Sequence, residues 1–199
     1  MRVTGASASQ IPVITYSIDS GRRVRTVALT LAALSVALVH LLHGMAPMPP
    51  SLIAALSLML YGIVFWLYNA VLWKFPVINR FNSIPNLAGR WQGKLVGWSA
   101  PDDELDVTLQ VRQNWSEVGF VLSSTAPLSR ATVGAMVIGD PDNVKVIWVF
   151  SSDTSAVPCD HRQGVNELTL HKADGGDRLT GTWFSDIGTS GALTVRFVK

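Results

Sequence analysis

Residues 104–113 read Glu-Leu-Asp-Val-Thr-Leu-Gln-Val-Arg-Gln. Leu105, Val107, Leu109 and Val111 alternate with Asp106, Thr108, Gln110 and Arg112. A period of two gives a strand one apolar and one polar face. The pattern recurs downstream. Val118, Phe120 and Leu122 share a face, as do Val144, Val146, Trp148 and Phe150, and again Leu193, Val195 and Phe197. With Pro, Gly, Asn and Asp clusters as punctuation, the predicted strands are Arg90–Trp98, Glu104–Gln113, Ser116–Ser124, Ser129–Gly139, Asn143–Ser151, Asn166–Lys172, Arg178–Ser185 and Ser190–Val198. The longest break is Ser152–Val165. Short turns favour antiparallel neighbours. Eight such strands predict a small up-and-down β-barrel, which removes exposed edges. The large apolar residues fill much of its interior, leaving a ligand near one mouth.

Upstream of Ile84 the pattern is different. Thr26–Leu42 and Leu52–Trp73 carry no formal charge. At ~1.5 Å per residue the second is long enough for a ~30 Å hydrocarbon core, and the first for a thinner one. Pro49 and Pro50 break the chain between them. Arg22, Arg23 and Arg25 would also suit a signal peptide, but a polar stretch precedes them and a second span follows. The expected fold is therefore membrane-anchored all-β: a two-helix transmembrane hairpin, then an eight-stranded antiparallel barrel. The expected divisions are a polar, mobile N-terminus over 1–23, the hairpin over 24–75 with spans near 26–42 and 52–73, a linker over 76–83, and the barrel over 84–199.

Basic residues near the spans set orientation. Arg22, Arg23 and Arg25 precede the first span, Lys74 and Arg80 follow the second, and the connecting turn has none. Both termini, and with them the barrel, are thus expected on the cytoplasmic side of a multi-pass membrane protein. Trp66, Tyr68 and Trp73 suit an interfacial belt. Asn69 suits either a hydrogen bond between helices or a simple interfacial position. His40 and His43 have helical metal spacing but no acid or cysteine nearby, which favours an interface role.

The formal net charge of +2 hides an asymmetry. Residues 1–83 hold six bases against Asp19, whereas the remainder is mildly acidic. An acidic domain argues against binding DNA or RNA polymers. The chain has one cysteine, Cys159, so it has no intramolecular disulfide, which fits a reducing compartment.

No G-x-S-x-G elbow, Walker loop or H-E-x-x-H motif occurs. Cys159, Asp160 and His161 form a compact loop triplet without a second ligand pair, a poor zinc site. Asp102, Asp103 and Glu104 read as a solvated turn. No catalytic residue, metal site or cofactor is expected, and the protein is not expected to be an enzyme. Gly89 and Trp91, at the first strand of a small barrel, are also a lipocalin feature. There the Trp plugs the closed end under a late Arg. Arg196 could stack on Trp91 in that way, although a ligand contact for Trp91 stays open.

The run Ile84-Pro85-Asn86-Leu87-Ala88-Gly89-Arg90-Trp91-Gln92-Gly93 follows the second span directly. Near the end, Gly181-Thr182-Trp183-Phe184-Ser185-Asp186-Ile187-Gly188-Thr189-Ser190-Gly191 precedes Leu193 and Arg196. Two spans followed by a barrel with these motifs resemble Cap15, the cyclic-nucleotide-sensing effectors of CBASS antiphage defence. The resemblance covers about residues 24–199. The chain departs from the family pattern at Ile187, where an Arg is usual, and at Ser185, where a Thr is.

The resemblance implies a two-part device. A partner cyclic-oligonucleotide synthase makes a second messenger, foremost a cyclic dinucleotide, and the barrel binds it. Homo-oligomerisation then brings the spans together, the bilayer loses integrity and the cell dies. A cyclic dinucleotide needs donors for two phosphates and aromatic faces for two bases. The candidates are Ser185, Thr189 and Ser190 in the last turn, Arg112 and Arg130, and Trp98 or Trp115 for stacking. The alternatives are a membrane-anchored lipocalin-like module for a lipid or other apolar ligand, and a structural membrane subunit.

Overall fold

A computed structural model describes residues 14–15, 21–78, 84–124, 129–140, 143–153, 161–172 and 176–198. Cys159 and Asp160 lie outside these residues. The chain divides into two units, one mainly helical and one of strands.

The helical unit contains α1 (Gly21–Met45) and α2 (Pro50–Ala70), followed by a 3-10 turn at Leu72–Lys74. Segments Arg25–Met45 and Pro50–Ala70 are each long and apolar enough to cross a membrane. Leu31, Ser35 and Val39 are buried at a spacing of four. Ser35 donates its hydroxyl proton to the Leu31 carbonyl at 2.7 Å, which satisfies the buried hydroxyl within α1. Leu29, Leu34, Leu58, Met59 and Trp66 point outward, the exposure an apolar solvent would cover. His43 Nδ1 accepts the Met48 N–H at 2.9 Å, a local role in the interhelical turn. Asn69 bonds residues 115 and 116. Its side-chain oxygen accepts from Ser116, and its backbone carbonyl accepts from the Trp115 N–H. Residues 114–116 belong to this helical unit.

The second unit begins with β1 (Ile14–Thr15). The remaining strands are β2 (Gly89–Gly97), β3 (Ala100–Gln113), β4 (Glu117–Ser124), β5 (Ser129–Asp140), β6 (Asn143–Asp153), β7 (His161–His171), β8 (Arg178–Ser185) and β9 (Ser190–Val198). From β2 to β9 each strand is antiparallel to the next, and β9 returns to β2. The circuit is an eight-stranded, nearly closed up-and-down barrel. Its weak seam lies between β4 and β5, paired through Val121 with Arg130 and Leu122 with Ser129. Farther along β4, β1 pairs instead, Ile14 with Val118 and Thr15 with Glu117.

Alternation decides what faces inward. Leu109, Val118, Phe120, Val146, Leu168, Leu179, Leu193 and Val195 are fully buried. Each such side chain contributes ~1.5–3 kcal/mol when removed from water. Strand bounds follow the sequence expectation closely, with two differences. β3 starts at Ala100, earlier than Glu104. β7 starts at His161, where Asp153 pairs with it, so part of the expected long loop is a strand.

Candidate functional site

The barrel has two different ends. At one, Trp91 is buried, and its indole N–H donates to the Leu87 carbonyl at 2.9 Å. Phe197 meets that indole edge-on, with ring centroids 5.2 Å apart. Leu87 is held in turn by its N–H to Gln113 Oε1 at 2.7 Å. The expected Arg196–Trp91 stack does not form. Arg196 pairs with Gln92 and is exposed, because inward positions on β9 are odd-numbered. Phe197 takes the place beside Trp91.

The opposite end carries the β8–β9 turn. The Ser185 N–H donates to the Thr189 carbonyl at 2.9 Å, and the Gly188 N–H to the Ser185 carbonyl at 3.1 Å. Gly188 adopts φ +77°, which a side chain would resist. The Ser185 and Thr189 hydroxyls lie 2.6 Å apart. The Asp186 N–H donates to the Gln163 carbonyl, tying the turn to β7, and the Trp98 N–H donates to the Ser190 carbonyl. Ser185, Thr189, Ser190 and Trp98 therefore gather at this mouth. Trp98 is exposed and meets Phe184 edge-on at 6.1 Å. The backbone of Arg130 also lies at this end, opposite Ser151.

Two candidates lie elsewhere. Arg112 is exposed near the plugged end of β3, beyond the pairing of Val111 with Gly89. Arg112 is therefore not among the residues of the mouth. Trp115 is buried in the helical unit, edge-on to Tyr68 at 5.2 Å and to Phe65 at 6.2 Å.

Inside the mouth, two glycines leave room for aromatic rings. A Cβ on Gly164 would lie 2.4 Å from the Phe150 ring, and one on Gly191 would lie 2.6 Å from the Trp183 indole nitrogen. Behind them Asn166 is buried on the inner face of β7, between cross-strand neighbours Trp148 and Trp183. Trp148 stacks on Phe120 at 4.9 Å. Neither Asn166 nor Trp183 was among the ligand contacts expected from the sequence. The available signal was parity, since Asn166 shares the inward phase of Leu168 and Leu170.

An open groove of about 630 Å³ lies on the outer wall, lined by Gln92, Lys94, Asp106, Thr108, Ser123 and Ser124. Lys94 is ion-paired with Glu104. That hydrogen bond, with the carboxylate's attraction, raises the ammonium pKa above its ordinary value. A paired lysine beside Asp106 makes this groove a poor cradle for phosphates. No cluster of metal-binding side chains occurs among the described residues.

No curated protein matches the chain. The family described as "Cap15, cyclic dinucleotide receptor domain" matches residues 82–196. That match spans more than half of the chain and takes in Trp91, the mouth turn and the eight barrel strands up to the last two residues of β9. With two apolar helices ahead of it, this chain belongs to the Cap15 cyclic dinucleotide receptor family.

Proposed function

We propose that this protein is a ligand-gated membrane effector of CBASS antiphage defence. Its barrel binds a cyclic dinucleotide in the bacterial cytoplasm, at the mouth formed by Ser185, Thr189, Ser190 and the neighbouring aromatic residues. The barrel is a receptor and acts without catalysis. The messenger comes from a cyclic-oligonucleotide synthase. Binding drives homo-oligomerisation, and the associated spans of the inner membrane break the bilayer. The observation that carries this reading is the Cap15 receptor match lying directly after two apolar helices. Basic residues flanking both helices, with none in the turn, support cytoplasmic termini. The mouth has hydroxyls and aromatic faces, the groups that hold phosphates and stack on bases.

The lipocalin-like alternative asks for an apolar cavity. Trp91, Leu109, Phe120, Leu168 and Leu193 instead pack the interior and are fully buried. Thermal melting of the full-length protein in detergent, against a panel of cyclic dinucleotides and trinucleotides, tests the reading. A ligand that binds the folded state alone raises the melting temperature by mass action. The expected result is a shift with one cyclic nucleotide and none with its linear form. A panel without any shift contradicts the proposal.

A further inference from the structure

Asn166 has no explanation in the packing of the barrel. Its side chain is 1% exposed, and among the described residues neither its amide nitrogen nor its carbonyl oxygen has a hydrogen-bond partner. Trp183, its cross-strand neighbour, has a buried indole N–H that is also unpartnered. Buried polar groups are normally paired, and leaving one unpaired costs stability. A leucine would fill similar space without that cost. An amide retained at an inward position therefore suggests a partner that arrives from outside.

The route from the mouth is short. Ser185 pairs directly across from Gly164, and Trp183 from Asn166. Two residues along a strand span about 7 Å, so Asn166 is one inward step below the mouth turn. The Phe150 ring lies over Gly164 on that step and is itself half-buried. Trp183 lies over Gly191 on the adjoining wall. A flat group entering here meets the Phe150 ring first and then, one step in, the Trp183 indole beside the Asn166 amide.

We propose that Asn166 and Trp183 read the edge of a nucleobase, which enters past Phe150 and stacks against the mouth aromatics. This rests on the cyclic-nucleotide reading above and names the part of the ligand that the barrel interior recognises. A carboxamide presents a donor beside an acceptor, the complement of a base edge that offers an acceptor beside a donor. The Trp183 N–H adds a second donor. The phosphates stay at the rim, where the Ser185 and Thr189 hydroxyls lie.

The test uses full-length protein in detergent and the Asn166→Leu and Trp183→Phe variants. The probes are cyclic di-adenylate, cyclic di-guanylate, the mixed adenylate–guanylate dinucleotide and cyclic di-uridylate. Affinity by titration calorimetry and melting temperature without ligand are read together. Asn166→Leu is expected to melt at or above the parent temperature, yet to bind the preferred nucleotide at least about tenfold more weakly. Trp183→Phe keeps an aromatic ring, though a smaller one, and loses the donor, and is expected to weaken binding less. Should Asn166→Leu fail to fold, Asn166→Ala is read in its place. Unchanged affinity in a folded Asn166 variant, with the parent's order of preference among the four probes, overturns the inference and leaves Asn166 holding a buried water. If the parent itself binds none of the cyclic nucleotides, the functional reading above has failed first.

Discussion

Trp91 and Arg196 show how much turns on a single residue of parity. The sequence places Trp91 inside a barrel, and there it is, with its indole N–H on the Leu87 carbonyl. The same reading set Arg196 against it. Register puts Phe197 there, because a one-residue offset sends a side chain to the other face. Trp91→Ala should therefore cost about 3–5 kcal/mol of barrel stability, a large buried truncation. Arg196→Ala is exposed on the outer wall, and should stay within about 0.5 kcal/mol of the parent. Chemical denaturation of both variants checks the pair, and a large loss from the Arg196 change would reverse the assignment of the plug. The mouth hydroxyls were legible as turn chemistry. Asn166 was not, because its meaning depends on which way a strand end faces.

Elements were easier to read than residues. Alternation gave the barrel strands after Ile84 close to their observed bounds, since one buried face enforces period two along each strand. β3 and β7 start earlier than expected, β7 by the wider margin. For β7 the cause is local. Its first residues, His161 to Val165, lack a run of apolar alternation, so pairing with β6, joined by β8 at Gly164 and Val165, defines them. β1 went unforeseen because two residues are too short to show a period. Its place is set by the edge that β4 leaves beyond the β4–β5 seam. The two apolar helices needed only composition, because a span requires length and lack of charge. Met59 lies near the middle of α2 and is exposed on its surface. Met59→Arg should oppose membrane insertion by about 2.5–3.5 kcal/mol. The expected outcome is a lower membrane-bound fraction after alkaline extraction of cells expressing the variant. An undiminished fraction would argue that α2 does not span.

The whole molecule joins a receptor-family barrel to two helices long and apolar enough to cross a membrane. Neither part performs the proposed function alone, because the signal is soluble and the lesion lies in the bilayer. The family match supports the receptor half, and hydropathy supports the membrane half. The coupling between them is the central claim. The most direct test reconstitutes the full-length protein into dye-loaded vesicles and follows release as cyclic dinucleotides are added. The account predicts release with the nucleotide that raises the melting temperature, and none with its linear form or with Met59→Arg. Release that is the same with and without nucleotide, or intact vesicles despite saturating ligand, would contradict it.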